Sequence, residues 1–391
     1  MSGFQLDVEA LEGVRARAAG RAADAGETAA LLAAAAAGAA LDDEAVTALL
    51  LAPHVATEAL VEAARARRPP GGPRVETFSP LYLTNECDAE CRMCGMRRDN
   101  DTLVRETADT PTAEAQLDIL HRRGLRGVAI LTGEYRHGAR RRAMIVRAAA
   151  AVRAALARGF VHVLVNIGTL DADEYPLLLD GIPRQPAGRV APQVTMCTFQ
   201  ETYRPRTYAR FMGTAPENPR SDFSRRLRNF DLACDAGLWS VNPGVLLGLD
   251  ADVAFETLAL LAHVRHLRAR GLRVYVSLPR LRRASGAPYP AGIGDDTLAR
   301  IVAALVIGAP DARVVISTRE PPAVQRHLLP LIAVLTPGSP GVAPYTATGA
   351  RFELEASQFE VLDHRPFEAI LGDLIAAGAT VERWEPTASP A

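Results

Sequence analysis

From Leu81 onward the chain alternates two patterns. Short runs of apolar and β-branched residues are separated by longer segments whose apolar positions recur at helical spacing. The runs are LYLTN (81–85), GVAILTG (127–133), HVLVNIG (162–168), QVTMCTF (193–199), WSVNPGVLLGL (239–249), RVYVSLPR (273–280), RVVISTR (313–319) and AVLTPGS (333–339). Strands alternating with helices predict parallel βα units, and eight of them favour an α/β fold closed into a (β/α)8 TIM-type barrel over an open sheet. Upstream, apolar residues at helical spacing in AVTALLL (45–51) and across 55–66 predict helices. The stretch RRPPGGPR (67–74) ends them, because its prolines fix φ and its glycines free it. After Pro344 the pattern predicts a short strand at 352–359 and a final helix at 367–378. The expected organisation is an N-terminal helical extension (1–73), a barrel (74–345) and a small C-terminal cap and tail (346–391).

Active sites of such barrels gather at the C-terminal ends of the strands. Each run here passes from apolar residues into a polar or glycine-bearing tip: Asn85 with Cys87, Thr132-Gly133-Glu134, Asn166 with Gly168, Gln200-Glu201, Gly248 with Asp250, Pro279-Arg280, Thr318-Arg319 and Thr336-Pro337-Gly338. One polar tip means little. Eight of them, one bearing a cysteine cluster, argue for a single converging site.

At 391 residues the chain suits one large barrel with an appendage. A formal net charge of -1 gives no broad attraction to nucleic acid or to anionic membranes, and arginine runs such as 140–142 and 282–283 read as solvated helix faces. The opening MSGFQLDVEALEG lacks the basic region of a secretory signal, so a cytoplasmic location is expected. The longest apolar run, Ala29 to Leu41, is mostly alanine and short of the roughly 20 residues a membrane span needs, which predicts a packed helix. Every fixed cation is arginine, for the sequence has no lysine. That excludes Schiff-base and pyridoxal-phosphate chemistry and a P-loop lysine.

Three of the five cysteines crowd into NECDAECRMCGMRRDN (85–100), as Cys87-x3-Cys91-x2-Cys94, while Cys197 and Cys234 lie alone. An odd, clustered set in a chain this large is not a disulfide framework and points to reduced thiols holding a metal or doing redox work. A structural zinc wants four ligands, and neither a second cysteine pair nor a histidine at finger spacing follows. A redox dithiol at Cys91 and Cys94 leaves Cys87 unexplained. A 4Fe-4S cluster fits better, with three irons on the three thiolates and the fourth left open.

The motif resembles the CxxxCxxC loop of the radical S-adenosylmethionine (SAM) superfamily, which follows the first strand of a barrel. The resemblance implies two cofactors, a 4Fe-4S cluster on Cys87, Cys91 and Cys94 and SAM chelated to the free iron, with a reductant such as flavodoxin or ferredoxin as partner. It also implies cleavage of SAM to methionine and a 5'-deoxyadenosyl radical, which abstracts a hydrogen atom. Leu131-Thr132-Gly133-Glu134 resembles the superfamily's GGE motif, implying that these residues hold the SAM ammonium. VNPGVLLGL (241–249) resembles the strand that lines the adenine, with Gly244 permitting close approach. Met93 stands where many members carry an aromatic residue.

FQETYRPRTYARFMG (199–213) and SDFSRRLRNFDLACDAG (221–237) resemble the aromatic amino acid lyase branch, which includes tyrosine lyases, and imply that Gln200, Glu201 and Arg226 surround SAM. PLYLTN, CRMCGMR, LTGEY, VTMCTFQETY, GIGDD, STREP, PGSPGVAPY and SQF, spread over Pro80 to Phe359, are most similar to the tryptophan lyases of that branch, which make 3-methyl-2-indolic acid for thiopeptide antibiotics. This implies L-tryptophan as substrate, its amino acid end held by Tyr82, Arg319 and Thr336. The implied reaction takes hydrogen from the amino nitrogen, breaks the Cα–carboxylate bond and rejoins the carboxyl fragment to indole C2.

Read from the residues alone, strand alternation sets Tyr82 and Thr84 opposite Leu81 and Leu83, and Arg319 ends a strand where its fork of donors can grip a carboxylate. Arg280 and Arg282 are weaker candidates for closing the site. The sequence departs from the resemblance at Glu86, at Thr336 in place of serine, and in the loops 182–192 and 283–292; Glu86 is expected to face solvent. The competing readings are a lyase of tyrosine or another amino acid that splits off the side chain and, from a different class, a non-catalytic protein holding a cluster or zinc.

Overall fold

The computed structural model describes residues 3–185, 188–191, 193–287 and 292–385. The eight apolar runs form parallel strands, with two further short strands beside them. In chain order these are β1 (Arg74–Thr77), β2 (Ser79–Tyr82), β3 (Gly127–Leu131), β4 (His162–Asn166), β5 (Val194–Glu201), β6 (Ser240–Val245), β7 (Arg273–Ser277), β8 (Arg313–Ser317), β9 (Val334–Thr336) and β10 (Thr380–Glu382). The sheet order is β10-β1-β9-β8-β7-β6-β5-β4-β3-β2. Its two ends share one stretch of chain: β1 pairs with β9 and β2 with β3, so residues 74–82 curl the sheet round on itself as a TIM-type barrel. β10 adds to β1 on its other edge.

Two expectations need correction. No strand forms at 352–359, where the described chain instead makes a single 3-10 turn, Leu354–Ala356. The backbone there is used by the cysteine loop: Glu355 O accepts from Val104 N, Ala356 O from Asn85 Nδ2 and Gln358 O from Gly95 N. Such scattered partners leave no ladder to extend. The first strand also begins earlier than the apolar pattern implied, because β1 lies directly behind the Pro-Gly stretch. The loops 182–192 and 283–292 and the tail fall partly outside the described residues.

Between the strands run the helices, numbered here along the whole chain. The N-terminal segment forms α1 (Val8–Ala22), α2 (Ala25–Ala36), α3 (Asp43–Leu51) and α4 (Thr57–Arg65). The barrel and cap carry α5 (Thr110–Arg122), α6 (Ala139–Ala157), α7 (Tyr175–Leu178), α8 (Pro205–Met212), α9 (Phe223–Asp235), α10 (Val253–Ala269), α11 (Asp295–Gly308), α12 (Pro322–Leu328) and α13 (Phe367–Ala376). Aspartates start many of them: Asp7, Asp24, Asp42, Asp109, Asp222 and Asp252 each accept from a first-turn N–H that the helix leaves unpaired. The N-terminal helices pack on the barrel's outer layer, α1 and α3 against α10, and α3 and α4 against α11. Arg300 of α11 fixes them by donating to the carbonyls of Leu49, Leu50, Ala52 and Val55 around the end of α3. No described helix is long and apolar enough to cross a membrane.

Inside the barrel, inward-facing residues stack in layers, as the two-residue period of the strands requires. At the N-terminal end Glu76 accepts from Tyr275, Arg313 and Arg383, which satisfies a buried charge. Above it lies an apolar layer that includes Phe78, Ala129, Leu164, Cys197 and Val315. Above that the barrel opens into the cavities that hold the polar strand tips.

Candidate active site

The cysteine loop leaves β2 and is pinned from several sides. Arg105 donates to the carbonyls of Asn85, Met96, Arg97 and Asn100, while Asn100 Nδ2 donates to Gly95 O and Ser285 O. Peptide N–H groups point at the sulfurs: Ala89 N and Glu134 N lie 3.4 and 3.3 Å from Cys87 Sγ, and Met96 N lies 3.4 Å from Cys94 Sγ. All three cysteines line one cavity together with Thr132, Gly133, Glu134, Glu201, Arg220 and Arg226. Gly133 is required by contact, for a Cβ there would lie 2.1 Å from Glu86 O and 2.7 Å from Cys87 Cα.

This set fits an iron-sulfur cluster better than a single ion. Zinc with sulfur at about 2.3 Å would draw its thiolates to within about 4 Å of one another. Among the described residues, the trio of His, Cys, Asp and Glu ligand atoms lying within 4.8 Å of one another is His137, Asp171 and Glu174, not the cysteines. That trio is already engaged, Asp171 with Arg225 and Glu174 with Arg141. The three thiols therefore stand too far apart to share one such ion as they are placed, a spacing that suits a cluster. Burial pushes the Cys87 thiol up to about 11 and raises Cys91 and Cys94 as well, so thiolates here call for cationic metal among them.

Beside the sulfurs sits an acid–arginine lattice. Glu134 Oε1 accepts from Thr169 N and Oγ1 at 2.9 and 2.7 Å, and Oε2 from Arg226 Nη1 at 2.9 Å. Burial opposes its charge, yet Arg226, Arg220 and Thr169 overcome this and hold the carboxyl down at about 2. Gly168, at φ +88°, makes the room, since a Cβ there would lie 2.5 Å from the Glu134 side chain. Arg220 Nη2 donates to Glu201 Oε1 at 2.6 Å, and Arg226 Nε to Phe199 O at 2.5 Å. Glu201 follows a register shift between β5 and β6 and takes φ +70°, a strained conformation for a non-glycine residue.

A second cavity, deeper in the barrel, shares Tyr82, Leu131, Asn166, Phe199, Pro279, Arg319 and Gln358 with the first. Thr336 lines it, with its hydroxyl 3.4 Å from Ile316 O. Tyr82 OH and Arg319 Nη2 both donate to Gln358 Oε1, at 3.1 and 3.3 Å, and the Arg319 guanidinium lies 4.8 Å from the Phe359 ring centre. Burial pushes the Tyr82 phenol up to about 12, with Arg319 pulling against it, so it stays a neutral donor at pH 7. No carboxylate of the described chain pairs with Arg319, although burial disfavours its charge.

Tyr82, Arg319 and Thr336 thus share one cavity wall, and Thr132, Gly133, Glu134, Glu201 and Arg226 stand around the cysteines. The other expected residues lie elsewhere. Gln200 is buried but lines neither cavity, and its amide O and N find no partner among the described residues. Gly244 faces Phe199: a Cβ would lie 2.6 Å from that ring and 2.8 Å from Ser277 O, so the glycine makes room for a cavity wall. Arg280 and Arg282 are both committed to Glu320, and neither lines the cavities. Glu86 turns outward to Arg140, as its expected solvent-facing position implies. The Glu134 carboxylate is likewise occupied, so what this tip offers the cavity is the backbone of Thr132 and Gly133.

Sequence reasoning missed Gln358 and Arg220. Gln358 lies in the SQF stretch, a visible signal whose role was unassigned. Arg220 lies between α8 and α9, where no periodicity marks it.

No family model matches the chain. It is 27% identical over 328 residues to the 2-iminoacetate synthase of Salmonella typhimurium, covering 81% of this chain and 79% of that one. Its fold matches the FeFe-hydrogenase maturase HydG from Carboxydothermus hydrogenoformans with a TM-score of 0.81 at 23% identity, over 96% of this chain and 85% of that one. It also matches methylornithine synthase with a TM-score of 0.69 at 17% identity, over 90% and 97% of the two chains. The solved structures show the shared fold; with the cysteine loop, the sequence likeness makes the chain an enzyme whose cofactors are a 4Fe-4S cluster and SAM.

Proposed function

We propose that the enzyme acts on an aromatic L-amino acid, and that its reaction converts L-tryptophan to 3-methyl-2-indolic acid. Arg319 carries the amino acid part of this reading. A half-buried guanidinium with no carboxylate partner among the described residues has its charge disfavoured by desolvation, and a ligand carboxylate gripped by its fork would offset that. Its neighbours Tyr82, Gln358 and Thr336 offer a hydroxyl, an amide and a second hydroxyl for the same end of the ligand.

When bound on Cys87, Cys91 and Cys94, the cluster with SAM supplies a radical that removes one hydrogen atom. What the chain's own residues contribute is position. Arg319 fixes the carboxylate, and Tyr82 and Gln358 set the rotation about it. Leu131, Leu164, Phe199 and Val315 form apolar walls that exclude water from a reactive ligand. Orientation decides which bond at Cα aligns with a nitrogen-centred radical, and a displacement of about 1 Å can cost on the order of 100-fold.

The named relative supports a second reading. 2-Iminoacetate is the two-carbon imino acid left when the Cα–Cβ bond of an amino acid breaks, so that relative speaks for side-chain scission, of tyrosine or another amino acid. The same clamp serves either outcome. Mass spectrometry of anaerobic reactions run in parallel with tryptophan and tyrosine separates them. We expect 5'-deoxyadenosine and 3-methyl-2-indolic acid from tryptophan. Skatole-type products would move the scission to Cα–Cβ, and 5'-deoxyadenosine and p-cresol with tyrosine alone would overturn the tryptophan assignment.

A further inference from the structure

The far end of the deeper cavity holds a polar group that the amino acid clamp does not use. Asn242 of β6 is 1% exposed, and its Oδ1 accepts from Ser277 Oγ at 3.0 Å. Its Oδ1 bond to Ser277 is the side-chain hydrogen bond Asn242 makes among the described residues, which leaves Nδ2 free on the cavity that Asn242 lines. Around it the same layer is Phe78, Ala129, Leu164 and Val315. Facing apolar walls, this amide has few partners of its own, and a suitably placed ligand atom would give it one.

We infer that Asn242, oriented by Ser277, recognises the polar hydrogen-bonding atom at the far end of the substrate ring. This rests on the aromatic amino acid reading above and adds what distinguishes the accepted rings. Ser277 is paired with Val315 across β7 and β8, and Arg319 stands in the turn just past the end of β8, on the lining of the same cavity. Asn242 and the Arg319 clamp line the same cavity, so one ligand can meet both.

The pair can serve either kind of polar ring. A serine hydroxyl donates or accepts, so the Asn242 amide can turn and present its N–H or its C=O to the cavity. The C=O would take an indole N–H, and either face would serve a phenol. A plain phenyl ring or a sulfur isostere of indole offers nothing in return and would leave the amide unpaired. A site built to hydrogen-bond a ring atom discriminates strongly against the analogue that lacks it.

The test is equilibrium binding to the cluster- and SAM-loaded protein under anaerobic conditions, independent of turnover. The ligands are two matched pairs, L-tryptophan with 3-benzothienyl-L-alanine and L-tyrosine with L-phenylalanine. The proteins are wild type, Asn242→Leu and Ser277→Ala, each checked for iron content and SAM binding. Wild type should prefer the polar ring of at least one pair by about tenfold or more. Asn242→Leu should bring that ratio close to one, and Ser277→Ala should reduce it in part. An unchanged ratio in Asn242→Leu, or no preference in wild type, overturns the inference while leaving the amino acid reading intact. Should Asn242→Leu lose its iron, Ser277→Ala decides alone, and an unchanged ratio there overturns the inference. If none of the four ligands binds wild type, the aromatic amino acid reading falls and takes this inference with it.

Discussion

Gly133→Ala protein reconstituted anaerobically is expected to retain roughly a tenth or less of the wild-type iron, because the new methyl group has nowhere to go. Its Cβ would lie 2.1 Å from Glu86 O and 2.7 Å from both Cys87 Cα and Cβ. Two of those atoms are backbone, and the third belongs to a cysteine of the cluster loop, so relief requires Cys87 to move. That loop cannot yield freely, being held by Arg105, Asn85 and Asn100. Glu134 N, one residue from the substitution, also donates to Cys87 Sγ and would shift with it. Thr132→Ala, at the neighbouring position, is the control and should keep its iron. A Gly133→Ala protein with full iron would show that the tip and the loop are not locked together.

Arg319→Ala should leave the cluster and SAM binding unchanged and weaken amino acid binding by about two orders of magnitude, the scale of a buried bidentate contact to a carboxylate. The guanidinium touches the cavity, Gln358 and the face of Phe359, while no acid of the described chain pairs with it. Its removal therefore strands no partner charge of the protein's own, and the loss reads on the ligand. Arg319→Lys should recover only part of the affinity, since a point charge cannot reproduce the planar fork. Unchanged binding in Arg319→Ala would remove this residue from the site.

The barrel was legible because its strands are buried on both faces and read as compact apolar runs, such as GVAIL in β3 and RVVIS in β8. β1 escaped because RVET carries one apolar residue, and its inward Glu76 is tolerated only through Tyr275, Arg313 and Arg383 from distant parts of the chain. The cysteine loop was legible from spacing alone. The partners around it were not: Glu134 meets Arg226 across 92 residues of sequence, and Arg319 meets Gln358 across 39. Spacing reveals that an acid stands at a strand tip but not that two arginines already hold it. Gly133 and Gly244 show the same limit, for each glycine was visible while the atoms that crowd it come from other strands and loops.

Cys87, Cys91 and Cys94 are proposed to hold a cluster on which SAM is cleaved. Anaerobic reconstitution followed by metal analysis, with 5'-deoxyadenosine measured after adding SAM, reductant and an aromatic amino acid, tests it most directly. The expected result is about four irons per chain, bleaching of the visible absorption by dithionite, and 5'-deoxyadenosine that disappears in Cys91→Ser. Stoichiometric zinc in place of iron, with no 5'-deoxyadenosine from any aromatic amino acid, would contradict it.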